Sequence, residues 1–158
     1  MNAYQSMIRM RAGLLVWLTH QMALPLLKLI RKPERFPYSL ESLRGFPEGT
    51  LGKDLVNFLE LKELELLPYY ARHDIKHILL GYDTTEEGEG CLQCFMLGNR
   101  HVSFPVLATV CYCFIAMPEY WGQFIAAYKR GRANAPIRHW KWFELLTRQT
   151  DELKNKIA

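Results

Sequence analysis

The sequence predicts an all-α fold, a compact helical domain with an additional apolar helix at the N-terminus. Two observations carry this prediction. No stretch alternates apolar and polar residues as a strand does, and the glycines and prolines lie at the ends of segments with helical apolar spacing. The 158 residues, nearly half of them apolar, are enough to bury one core.

The helix boundaries follow from start and stop signals. Thr50 is a suitable N-cap for the first helix of the main domain, and Pro68 opens a second helix that ends at Gly81. Further helices are predicted at 85–97, at 104–116, from Pro118 to Gly131 and from Pro136 to Lys156.

Three segments are predicted along the chain. Residues 1–32 form an apolar helix flanked by basic residues, and the Pro-containing and Gly-containing segment 33–45 is a linker. Residues 46–158 form the helical domain that carries the functional residues.

The N-terminal segment is basic and apolar. Residues 1–35 carry six Lys or Arg and one acid, a net charge of +5. The remaining residues carry a net charge of −1, which gives the total of +4. Residues 12–27 have no charged side chain, but they are short for a span and include Pro25, so a helix in the interface of a membrane surface is expected. Packing on the domain, a homodimer interface and a targeting peptide are the alternatives. A basic excess at one apolar end does not suit nucleic acid.

Four cysteines occur as two close pairs, Cys91 with Cys94 and Cys111 with Cys113. This spacing is compatible with a zinc site of four thiolates. The second pair lies in an apolar run, so buried free thiols in a reducing compartment are the preferred interpretation.

A pair of histidines marks the predicted functional site. His73 and His77 are four residues apart in the helix that follows Pro68, so their side chains differ by about 40° around its axis. Asp74 lies about 60° from His77 on the same helix. One helix therefore offers two imidazoles and a carboxylate within one arc.

Glu89 lies on the next helix, beyond a loop that reverses the chain, and can return a second carboxylate to the histidines. Nitrogen and oxygen ligands of this kind suit zinc, and iron or manganese would also accept them. The zincin pattern requires Glu directly after the first His, where this sequence has Asp74, so a zincin protease is not expected.

The string HDIKH, eleven further residues and Glu89 give the spacing HDxxH-x11-E. This resembles the metal signature of the coenzyme Q (ubiquinone) biosynthesis protein 4 family. The segment FPEGTLGKDLVNFLE at 46–60 is similar to the family's Pro-x-Gly-Thr-x-Gly segment, and Gly88 with Glu89 reproduces a Gly-Glu pair. The likeness covers about 46–156.

The resemblance implies a compact helical fold, a divalent metal, here taken as zinc, and His73, Asp74, His77 and Glu89 as its ligands. It implies polyprenyl quinone biosynthesis, with decarboxylation at C1 of a prenylated hydroxybenzoate, organisation of the biosynthetic complex, or both. The implied partners are a polyprenyl quinone precursor or similar isoprenoid lipid, a membrane surface and other quinone-biosynthesis proteins. The implied location is peripheral to the bacterial inner membrane on the cytoplasmic side, or at the mitochondrial inner membrane.

Other interpretations stay open at this point. The chain could be a metal-dependent lyase, a scaffold that binds prenyl lipid and holds a structural metal, or a metal-dependent hydrolase. Arg72, beside the motif, and Lys76, within it, are candidate substrate-binding residues. Tyr82 is a third candidate, which could line the pocket or equally the core. Solvated surface charge is the alternative for the two basic residues.

Overall fold

The structure is a computed structural model that describes residues 10–11 and 34–158. No β-strand occurs in these ranges, and the predicted all-α fold is confirmed. The N-terminal helix predicted for residues 1–32 lies outside them, apart from residues 10 and 11. The α-helices between residues 34 and 158 are α1 (Leu40–Arg44), α2 (Leu51–Leu61), α3 (Ala71–Leu80), α4 (Glu86–Gly98), α5 (Phe104–Ala116), α6 (Trp121–Ala133) and α7 (Thr150–Ile157). Two 3-10 turns, Pro118–Tyr120 and Trp142–Leu145, precede α6 and α7.

Local capping fixes the helices around the predicted site. The Thr50 side chain accepts a hydrogen bond from the Lys53 amide and caps α2, as its sequence predicts. Gly81 ends α3 in the left-handed conformation, with φ of 70°. Thr85 then caps α4 by accepting from the Gly88 amide. The loop between α3 and α4 is therefore short and held at both ends.

The single helix predicted from Pro136 to Lys156 is wrong. The Ile137 amide donates to the buried side chain of Asn99, and the Leu146 carbonyl accepts from the Gly52 amide instead of bonding within a helix. Thr50 and Gln149 form an isolated antiparallel bridge. These long-range bonds leave a 3-10 turn and the short helix α7 in this region.

Residues 34–45, which lie in the predicted linker, contribute to the core. Phe36 and Leu43 are buried in the main apolar cluster, and Leu43 belongs to α1. The Phe36 amide also donates to the Pro68 carbonyl, next to the start of α3. The predicted domain boundaries themselves stay predictions.

Helices α4 and α6 cross with their backbones almost in contact. A methyl group on Gly98 would overlap the Tyr128 carbonyl, and one on Gly131 would overlap the Phe95 carbonyl. Asn99 adds a buried link, since its amide nitrogen donates to the Gly131 carbonyl at 3.0 Å. The close crossing holds α4 firmly against α6.

All four cysteines are free thiols. Cys91, Cys94 and Cys113 are buried beside Phe124 in a second apolar cluster, as the sequence predicts, whereas Cys111 is exposed, which the sequence does not predict. The reason is geometric, because residues two apart on a helix differ by about 200° and face opposite sides. The described residues contain no cysteine group with metal-binding geometry.

Candidate metal centre

Three of the predicted ligands converge between α3 and α4. The Nε2 atoms of His73 and His77 are 3.0 Å apart, and Glu89 Oε1 lies 3.2 Å from the first and 3.1 Å from the second. The three atoms therefore form a nearly equilateral triangle. Of the described residues, this is the one group of His, Cys, Asp and Glu whose ligand atoms all lie within 4.8 Å of one another.

The orientation of His77 is set by a backbone carbonyl. Its Nδ1 lies 2.9 Å from the Tyr82 carbonyl oxygen, which can only accept a hydrogen bond. In a neutral ring, Nδ1 then carries the proton and Nε2 presents its lone pair to His73 and Glu89. The ring also stacks on Phe58, with centroids 6.2 Å apart, and its side chain is fully buried.

Sequence reasoning did not identify this role of the Tyr82 backbone. The left-handed turn at Gly81 brings the carbonyl of the next residue back over the last turn of α3. A glycine four residues after a histidine at the end of a helix is the one sequence signal that pointed to it.

Gly88 allows Glu89 to approach α3. A methyl group at this position would overlap the Asp83 backbone, because the first turn of α4 lies directly on the loop from α3. Glu89 follows at once and points to the histidines. The Gly-Glu pair is thus a structural requirement of this site.

Glu89 and His77 alter each other's protonation. Burial opposes charge on Glu89, but hydrogen bonds and charge interactions with His73 and His77 outweigh it and hold the pKa of this carboxyl well below its usual range. Burial likewise lowers the pKa of His77, yet Glu89, the Tyr82 carbonyl and Asp74 together raise the pKa above its ordinary value. Glu89 therefore favours the protonated form of His77.

The chemistry of the donor set fits a divalent metal. Ligands at about 2.0 to 2.1 Å around a tetrahedral zinc ion are separated from each other by about 3.3 Å. The three observed separations are within a few tenths of an ångström of that value. Two imidazole nitrogens and one carboxylate oxygen would leave further positions on the ion for a water molecule or a substrate oxygen.

Asp74, the fourth predicted ligand, does not join this triangle. It follows His73 on α3 and is half-buried, and its charge acts on His77. It is absent from the group of ligand atoms that lie within 4.8 Å. Its role as a ligand stays a prediction.

The two candidate basic residues contact other parts of the protein. Arg72 Nη2 bonds to a Glu34 carboxylate oxygen at 2.6 Å, and its guanidinium lies 5.7 Å from the centre of the Phe143 ring. Lys76 Nζ lies 5.7 Å from the Trp142 ring, and burial, with a smaller effect from Arg72, lowers the pKa of Lys76 to about 8. Neither belongs to the ligand group, and a substrate-binding role stays a prediction for both.

Tyr82 lines an open cavity of about 570 Å³ between the α3–α4 loop and α6. Arg130 closes one side, with its guanidinium 5.2 Å from the Tyr82 ring and its Nη1 bonded to the Leu80 carbonyl at 2.8 Å. Gly88 lies in the wall, but none of the three ligand side chains does. The cavity therefore lies beside the ligand triangle rather than over it.

We predict that the stabilisation by zinc increases with pH. In the metal-free protein, the raised pKa of His77 contributes stability that is fully present below its ordinary value of 6.5 and is lost as pH rises through the folded-state pKa. The lowered pKa of Glu89 contributes stability present above its ordinary 4.5 and lost as pH falls through the folded-state pKa.

Zinc can bind His77 only after the ring loses its proton, and this proton is easier to remove at higher pH. The zinc-bound protein therefore becomes more stable relative to the metal-free protein as pH rises. The unfolding temperature with and without zinc, measured from pH 5.5 to 8.5, should show a widening gap. A gap that is constant across this range would contradict the participation of His77.

Comparison with solved structures identified proteins of similar fold. No protein-family model matches the chain, and no curated protein matches it. A crystal structure from Nostoc punctiforme, of a protein provisionally named a ubiquinone biosynthesis protein, is similar with a TM-score of 0.61 and 21% sequence identity. The match covers 96% of this chain and 80% of that one. At this identity the likeness shows a shared fold.

Proposed function

We propose that this chain is a metal-dependent protein of ubiquinone-type polyprenyl quinone biosynthesis. In this proposal it acts on a prenylated hydroxybenzoate and removes the ring carboxylate at C1. The observation that carries the proposal is the triangle of His73, His77 and Glu89, whose ligand atoms lie close enough together to hold a metal ion with further positions open. The Nostoc punctiforme protein of the same fold, and the HDxxH-x11-E resemblance, support the pathway.

The residues of the chain have separate tasks in this proposal. His73, His77 and Glu89 would hold the ion, and the Tyr82 carbonyl would keep His77 in the tautomer that binds it. A bound divalent ion supplies Lewis acidity, which stabilises negative charge on an aromatic substrate. Asp74 is proposed as a fourth ligand or as a charge that supports His77.

Decarboxylation needs one proton besides the substrate carboxylate, and no oxidant or reductant. The bond between C1 and the carboxylate carbon breaks, carbon dioxide leaves, and a proton takes its place on the ring. The exposed mouth of the cavity lined by Tyr82 and Arg130 could admit the substrate beside the ligands. Arg130 is the basic residue of that lining, which also contains Asp83 and Glu87, and it is proposed to pair with an anionic headgroup.

A specific observation favours a second candidate, a scaffold that binds prenyl lipid. No ligand side chain lines the cavity, and the ligands join two helices that the chain connects by only a short loop. A metal at this place could serve solely to hold α3 against α4. In that case lipid binding would persist without turnover.

The two candidates are separated by following carbon dioxide release from a prenylated hydroxybenzoate labelled in its carboxylate. The metal-dependent lyase predicts release by the zinc-loaded protein and none by His77→Ala, while His139→Ala, at an exposed turn, releases it at the normal rate. Binding of the lipid tail with no release from any of the three proteins would support the scaffold and refute the lyase.

A further inference from the structure

Helix α5 is apolar and is exposed along one side. Its thirteen residues, FPVLATVCYCFIA, include no charged side chain, yet only Val106 and Cys113 are buried. Phe104 is 65% exposed and Ile115 is 83% exposed. A core helix of this composition would be covered on all sides, so the exposed part requires another explanation.

The exposed residues of α5 form one stripe. Phe104, Leu107, Ala108, Cys111 and Ile115 are its exposed residues, and at 100° per residue they lie within an arc of about 100°. The buried residues, Val106 and Cys113, lie about 180° to 200° from Phe104, on the side that packs against the domain. One side of α5 is anchored and the other is an apolar surface.

Helix α6 extends this surface. Trp121, Ile125 and Tyr128 are exposed and lie within an arc of about 60° on α6. Trp121 Nε1 donates to the Phe114 carbonyl at 2.9 Å, so the α6 stripe begins beside Ile115, where the α5 stripe ends. We call these eight residues of the two helices the apolar surface.

Basic residues border the apolar surface, and no acidic residue lies on either helix. The sequence of α6 contains Lys129, Arg130 and Arg132 and no Asp or Glu, and α5 contains neither sign of charge. Arg132 continues the stripe of Trp121, Ile125 and Tyr128 by one turn, and Lys129 is also exposed. Arg130 lies about 180° from Trp121 and bonds to the Leu80 carbonyl, so Lys129 and Arg132, a charge of +2, are the basic residues beside the exposed aromatic and aliphatic side chains.

Among the described residues no single helix is long and apolar enough to cross a membrane. The segments 104–116 and 118–133 reach that length and apolar composition only when they are taken together, and they are bent by 103° relative to each other. The anchoring of α5 along one side suits a helix that lies in the plane of an interface. Its thirteen residues are about 20 Å long. Tryptophan and tyrosine beside basic residues are typical of the boundary between headgroups and acyl chains.

We propose that the apolar surface of α5 and α6 docks on an anionic lipid bilayer, with the aliphatic and aromatic side chains among the acyl chains and Lys129 and Arg132 at the headgroups. Charge decides between this occupant and a second copy of the chain. A symmetric dimer through this surface would bring Lys129 and Arg132 of both copies, four basic residues, to one contact with no acid from α5 or α6 to balance them. Anionic headgroups balance them directly.

The proposal is independent of metal binding and of turnover, and the chain provides its own probe position. Cys111 lies in the middle of the stripe and is exposed. Burial raises the pKa of Cys91 to about 11 and the pKa values of Cys94 and Cys113 to about 12, so a thiol reagent at neutral pH attaches to Cys111. An environment-sensitive fluorophore on Cys111 of the full chain reports directly on this surface.

Vesicles of phosphatidylcholine with phosphatidylglycerol should shift the emission to the blue and raise it severalfold, and a spin label on the acyl chains should quench it. Ile115→Glu should weaken vesicle partitioning at least tenfold. Leu61→Glu is the matched control, because Leu61 is 80% exposed on α2 and lies outside the surface, and it should partition normally.

Three results would overturn the proposal. One is an absence of change on addition of the anionic vesicles, and another is equal partitioning of Ile115→Glu and Leu61→Glu. The third is an emission that is already shifted to the blue without lipid. If this shift depends on protein concentration, a second copy of the chain covers the surface, and if it does not, another part of the same chain covers it.

Discussion

Replacing His77 with alanine is expected to abolish high-affinity metal binding. The change removes one corner of the ligand triangle and the only ligand whose side chain is fully buried and oriented by a backbone carbonyl. Loss of even an outer partner of a metal ligand costs about 10 to 100-fold in affinity, so loss of the ligand should cost more than about 100-fold. Zinc per chain, measured after dialysis against a weak chelator, should fall from one to near zero.

The controls for this experiment use the same types of substitution elsewhere. His139→Ala changes an exposed histidine in a turn and should leave the zinc content at one. Glu89→Gln should resemble His77→Ala, because it removes the carboxylate charge from the triangle. Asp74→Asn then tests the fourth predicted ligand. If Asp74 is a ligand, the zinc affinity should fall about as much as in Glu89→Gln, and if it acts only as a nearby charge, the affinity should fall slightly. Retention of zinc by both His77→Ala and Glu89→Gln would refute the site.

Replacing Gly88 with alanine is expected to destabilise the fold strongly. The new methyl group would overlap the backbone of Asp83, which cannot move without disturbing the loop that carries Tyr82. Overpacking of this kind costs about 3 kcal/mol in the free energy of unfolding. Urea denaturation of the metal-free protein would measure it, and the zinc affinity of the variant should also fall.

Gly122 provides the matched comparison, because it too lies in the first turn of a helix but has open space around it. Gly122→Ala should be neutral or stabilising by up to about 1 kcal/mol, as expected for a helical glycine without close neighbours. Equal stability of the two variants would mean that α4 does not pack against the loop from α3 as described.

The sequence predicts those features that depend on local spacing. The separation of His73 and His77 by one helical turn, the cap at Thr50 and the stop at Gly81 each involve residues within four positions, and each is confirmed in the structure. Glu89 is a further case, since a short loop between two helices leaves few ways to arrange the second helix. Such features are set by backbone geometry that the sequence encodes directly.

Features that depend on distant partners could not be predicted in this way. The break in the predicted helix at 136–156 results from hydrogen bonds to Asn99 and to the start of α2, which are separated widely in sequence. The exposure of α5 is a second case. Its apolar sequence is typical of a core helix, and only the packing of the other helices shows which side is left uncovered.

The measurement that tests the central claim most directly is X-ray absorption on the protein loaded with one equivalent of zinc, combined with elemental analysis. We predict one zinc ion per chain with two imidazole nitrogens and carboxylate oxygen in its first shell, and loss of one imidazole contribution in His73→Ala. A sulfur-rich first shell, or binding of less than one ion in ten chains, would contradict the claim that His73, His77 and Glu89 form a metal site.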